Sequence, residues 1–171
     1  MALALEEAIQ RFLKTDHTEM KPMVNNFVDG AVEVTDSQLG YFAVLNDTED
    51  VLIMLGWSNT AMDNCRIIDK PLVYPLEQTG VWGDCIRERG PVIINDYQNC
   101  ERPTRKGYPT GHVHVLRHMN LPIWEGEHMA GILGVGNKPT DYTEDDTQIM
   151  QQYAQAVWEV VKKGVANAMQ K

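Results

Sequence analysis

The sequence predicts an α+β domain: a central antiparallel sheet of about six strands, with helices gathered at the two ends of the chain and a short one in the middle. Three observations carry this prediction. Apolar residues recur at helical spacing before residue 35 and again after residue 144. Between residues 39 and 137 the apolar runs are short and bounded by turn residues. Two of the gaps, at 46–50 and 125–127, are short enough for hairpins, which pair strands antiparallel. With 171 residues the chain reads as one domain, 1–171, with helices at 1–35, the sheet region at 39–137 and a last helix at 144–169.

Leu5, Ile9, Phe12 and Leu13 form the first helical stripe, which breaks at residues 15–18. Thr18 is positioned to cap a second helix, with Pro22 tolerated in its first turn and Met20, Met23, Val24, Phe27, Val28, Ala31 and Val32 as its apolar face. Strands follow at 39–45 and 51–57. Residues 58–64 read as a polar excursion, and 67–76 as extended at best, given Pro71 and Pro75. A short helix is expected over 79–88, ended by Gly90, then a strand over 91–95 and a Pro- and Gly-rich loop over 98–111. Strands are expected over 113–124 and 128–135. Pro139 cannot donate to a sheet ladder, so the last strand stops before it. Thr143 then offers a hydroxyl to a helix that starts at Glu144, where Glu144, Asp145 and Asp146 suit the positive end of the dipole. Its stripe is Ile149, Tyr153, Ala156, Val157, Val160, Val161 and Val165.

The formal charge of −9, from 15 basic against 24 acidic residues, argues against nucleic acid and anionic membrane as partners. No apolar run approaches the roughly 20 residues that cross a bilayer, so no membrane insertion is expected. The N-terminus lacks the basic start of a signal peptide. Cys65, Cys85 and Cys100 are odd in number and form no CxxC pair, which favours reduced thiols and a cytoplasmic location.

A set of short segments, each weak alone, is specific in its order and spacing. They are Gly40-Tyr41-Phe42, Leu55-Gly56-Trp57-Ser58, Tyr74-Pro75-Leu76, residues 80–92, Asn95-Asp96-Tyr97, Gly111-His112-Val113, Leu121-Pro122-Ile123 and Gly134-Val135-Gly136-Asn137-Lys138. With them, residues 20–160 resemble a GAF domain, a small-molecule sensing module of bacterial and archaeal signalling proteins. The resemblance implies a ligand pocket on one face of the sheet and terminal helices on the other, which often pair into a homodimer. It implies an output partner, such as the kinase or regulator domain of a histidine kinase or cyclic-dinucleotide enzyme, to which binding is relayed. It implies no catalysis by this domain itself. A structural dimerisation module is the alternative.

On this resemblance the site residues are Trp57, Asn59, Met62 and Cys65 around the second strand's end, and Trp82 at the start of the middle helix. Asp96 and Tyr97 after the fourth strand, His112, Arg117 and Asn137 complete the set. Trp57 and Trp82 serve equally as core aromatics, Cys65 as a small buried hydrophobe, and Asp96 as a loop cap. Lys138 is expected to pair with Asp145 or Asp146 and pin the turn. Some similar sensor domains bind haem, and His112 with Cys65 would suit an axial ligand and a neighbouring thiol. His112, His114 and His118 share strand parity, but their spacing matches no metal motif. Free methionine sulfoxide reductases share the fold. In them a Cys stands where this chain has Trp82, and Val115 replaces their nucleophile, so reductase chemistry is not expected.

Overall fold

In the computed structural model, residues 2–59, 73–107 and 112–169 are described. Helices α1 (Ala2–Lys14) and α2 (Met20–Val34) precede strands β1 (Leu39–Leu45) and β2 (Val51–Trp57). After β3 (Val73–Pro75) come two 3₁₀ turns, Leu76–Gln78 and Val81–Gly83, and the one-turn helix α3 (Asp84–Arg87). Strands β4 (Val92–Ile94), β5 (His118–Glu125) and β6 (His128–Gly136) lead to α4 (Glu144–Met169). The strands form one open antiparallel sheet in the order β3-β2-β1-β6-β5-β4, the architecture expected.

Alternation along the strands splits the apolar residues into two cores, because successive side chains point to opposite faces. Phe42, Val44, Met119, Leu121, Leu133 and Val135 face the helices and join Phe27, Tyr153 and Val157. Phe27 meets Phe42 edge-on at 5.2 Å and stacks on Tyr153 at 6.0 Å. Such pairs each add about 1 kcal/mol beyond area burial. Ala43, Leu45, Leu52, Met54, Met129 and Ile132 point the other way, to a distal face roofed by Val81, Cys85, Ile86 and Tyr97. A bulge at Phe42/Ala43 shifts the register between β1 and β2 by one residue.

Three local expectations are corrected. The strand expected over 113–124 begins only at His118, because Asn137 takes the Leu116 N–H on Oδ1 (2.8 Å) and donates to the His114 carbonyl (2.7 Å). Side-chain bonds thus replace a ladder there, and His112 and His114 share no strand face with His118. The middle helix is reduced to a 3₁₀ turn and α3, since the Arg87 guanidinium occupies the Leu76, Thr79 and Gly80 carbonyls that a longer helix would use. The residue before α2 is Glu19, not Thr18, and its side chain makes no cap bond. The start of α4 is as expected in position. There Asp146 accepts from the Thr143 N–H at 2.8 Å and pairs with Lys138 at 2.5 Å.

Candidate functional site

Polar groups buried in the distal core mark the candidate site, because a buried polar atom is costly unless it is bonded. Tyr41 pairs with Gly134 across β1–β6, and Asn120 pairs with the same Gly134 across β5–β6. The three therefore stand in one row across the sheet. A Cβ on Gly134 would lie 2.1 Å from the Tyr41 ring and 2.6 Å from Asn120 Oδ1. Its absence lets the Tyr41 hydroxyl reach over β6 and donate to Asn120 Oδ1 at 2.6 Å. Asn120, with no exposed surface, meets His118 Nδ1 through its Nδ2 at 3.1 Å. His118 Nε2 is buried without a hydrogen-bond partner among the described residues.

The surroundings are aromatic. Trp82 meets Tyr41 edge-on at 6.1 Å and Tyr74 at 5.1 Å. Tyr97 packs on His118 at 5.9 Å, and the Arg105 guanidinium lies 5.5 Å from the Tyr97 ring centroid. Burial pushes the Tyr41 phenol well above its ordinary value and the His118 imidazole down to about 4. Burial, reinforced by neighbouring Asp84, raises the Cys85 thiol to about 12. Hence Tyr41, His118 and Cys85 are all uncharged at neutral pH.

Charge lies at the rim. Asp84 is 3% exposed and accepts from Arg87 Nη1 (2.8 Å), Arg102 Nη1 (3.2 Å) and Thr104 Oγ1 (2.8 Å). Arg102 also bonds Glu88. This hub ties the loop after β4 onto α3 and so fixes the roof.

Of the residues singled out from sequence, Trp57, Trp82 and Tyr97 pack in or against the distal core. The others are placed elsewhere. Asn59 is bound through backbone and side chain to Asp29 of α2. Asp96 is exposed and caps its own loop through Asn99. Arg117 grips the Lys138 and Pro139 carbonyls, with Asp141 3.3 Å away. Asn137, at φ 60°, ties residues 114–116 to the end of β6. His112 is half-buried with Nδ1 2.7 Å from the Val113 carbonyl. Met62 and Cys65 lie outside the described residues. Sequence reasoning missed Tyr41, Asn120, His118 and Asp84 as site residues. The available signal was a lone Asn inside the apolar strand 119–123, opposite a glycine-punctuated one. Among the described residues, no group of three or more His, Cys, Asp or Glu is placed to hold a metal.

A two-cored antiparallel sheet with helices on one face and a roofed, polar-threaded core on the other is the α+β architecture of the GAF fold. The chain belongs to the GAF domain family, whose model matches residues 17–162. It is 37% identical over 157 residues, 92% of its length, to the methyl sulfide methyltransferase-associated sensor of Methanosarcina acetivorans. It spans only 16% of that protein. The fold is shared with the GAF domain of an Acinetobacter phosphoenolpyruvate-protein phosphotransferase (TM-score 0.69, 14% identity, 95% of this chain and 93% of that one). It is also shared with the free methionine-R-sulfoxide reductase of Neisseria meningitidis (TM-score 0.68, 13% identity, 96% and 89%). A methyl-accepting chemotaxis protein fragment is similar as well (TM-score 0.67, 15% identity, 92% and 96%). Among the described residues no helix is long and apolar enough to cross a membrane.

Proposed function

We propose that this chain is a cytoplasmic, small-molecule-binding sensory module. Its ligand sits on the distal, aromatic face, and occupancy is relayed through the sheet to α1, α2 and α4 and on to an output domain such as a histidine kinase. The observation that carries this reading is the Tyr41–Asn120–His118 chain. A purely structural core gains nothing from three linked polar side chains ending in an unbonded nitrogen, since an apolar core of the same volume would be at least as stable. The relay is supported by continuity. Tyr41 and Phe42 are neighbours on β1, one facing the site and the other touching Phe27 of α2 and Trp158 of α4.

Catalysis is not part of the proposal. Cys85 is buried, and burial raises its thiol to about 12, so it stays protonated, whereas thiol chemistry needs an accessible thiolate. The homodimer that the resemblance implies could use only part of the α4 stripe, where Ala156 is exposed and Val160 half-buried. Ile149, Tyr153, Val157, Val161 and Val165 are already buried within the chain.

Native mass spectrometry of the freshly purified protein, against its denatured mass, tests the reading. Mass lost on denaturation supports a co-purified ligand. A clean apo mass, with no distal-face response to added small molecules, overturns it in favour of the structural module. Retained mass with a Soret band replaces it with the haem sensor read from His112 and Cys65.

A further inference from the structure

We propose that the His118 Nε2–H is a hydrogen-bond donor that reads a neutral acceptor, a carbonyl or amide oxygen, on a planar ligand held against the distal aromatic face. This rests on the sensory reading above and names the chemistry of its site.

The direction of the chain of bonds assigns the proton. The Tyr41 hydroxyl donates to Asn120 Oδ1, so the Asn120 amide nitrogen faces His118. An amide N–H only donates, so His118 Nδ1 accepts and carries no proton. A neutral imidazole holds its single proton on the other nitrogen, which makes Nε2 a donor. That donor is inaccessible to solvent and bonded to none of the described residues, although part of His118 reaches the surface. A buried unbonded donor is costly, and an arriving acceptor recovers that cost.

The surroundings select a neutral acceptor over an anion. Arg102, the cation whose field reaches His118, is already paired with Asp84 and Glu88. Arg87 is likewise held by Asp84, and Arg105 lies over Tyr97. A carboxylate brought to Nε2 would lose its water without gaining a free cation. Tyr41, Tyr74, Trp82 and Tyr97 make the surroundings of His118 aromatic, which suits a flat ligand that stacks or meets ring edges. Gly134 completes the device, since the row exists only because β6 presents no side chain there.

The test is ¹⁵N-histidine NMR of the full chain with nicotinamide and benzamide as probes, and toluene and benzoate as controls. In the free protein His118 should show a protonated Nε2 and a bare Nδ1. Benzamide and nicotinamide should shift the Nε2 resonance together with the Tyr41 and Gly134 amides, and bind at least about tenfold more tightly than toluene or benzoate. His118→Phe should erase the preference for benzamide over toluene. A protonated Nδ1, an Nε2 signal unmoved while the distal amides shift, or equal binding of toluene would overturn the donor assignment and leave the sensory reading intact. No distal-face response to any probe overturns that reading and the assignment with it. The wild-type Nε2 signal decides the matter even where the variant fails to fold.

Discussion

Gly134 illustrates how one residue carries a site. Gly134→Ala must push the Tyr41 ring and the Asn120 amide aside, so it should cost about 2–3 kcal/mol in urea unfolding. Combined with Tyr41→Ala it should cost less than the sum of the two single changes, because the clash partner is gone. His118 gives the pH signature of the site. Its folded value is about 4 against an ordinary 6.5, with Asp84 pulling upward and Arg102 downward but burial dominating. Below pH 6.5 the unfolded chain takes up a proton that the folded chain refuses until about pH 4. Stability is therefore fully present above pH 6.5 and falls as pH drops through that window, by at most roughly 3 kcal/mol. His118→Phe should flatten that part of the stability profile in chemical denaturation. Lys138 and Asp146 form a largely buried pair, as the sequence suggested. Lys138→Met leaves the carboxylate with only the Thr143 N–H and hydroxyl, and should cost about 3 kcal/mol in the same assay.

Among the elements, α2 is the one wedged between sheet and α4, and Gly30 sets its distance. A Cβ there would lie 2.0 Å from the Tyr153 hydroxyl, which itself donates to the Phe27 carbonyl. Helix propensity alone would make Gly30→Ala stabilising by up to about 1 kcal/mol. Overpacking against a fully buried Tyr153 is the larger effect, so thermal unfolding should show a net loss of about 1–2 kcal/mol. The helices, the two hairpins and β4 were legible because their period or turn chemistry is local. The start of β5 and the shortening of the middle helix were not. Both are decided by side chains, Asn137 and Arg87, that bond backbone groups far away in sequence or in another turn.

For the whole molecule, a ligand on the distal face would act on the helices through the sheet between them. Hydrogen exchange with a bound ligand should therefore protect β1, β5 and β6 amides and also change exchange within α4, which never touches the distal face. Unchanged α4 exchange would remove the relay and leave a binding module alone. The sequence by itself determined the α+β class, the antiparallel sheet, the placing of helices at both ends and the family resemblance. These depend on apolar periodicity and turn residues, which act between near neighbours in the chain. Only the tertiary structure decided which polar residues share the distal core. Asn59, Asp96, Arg117 and Asn137 stand beside the right strands in sequence, yet their side chains are engaged by α2, their own loop, the β6–α4 turn and residues 114–116 respectively. Tyr41, Asn120 and His118 meet because strand register lines β1 and β5 up on either side of one glycine of β6, and register is a property of pairing between distant segments.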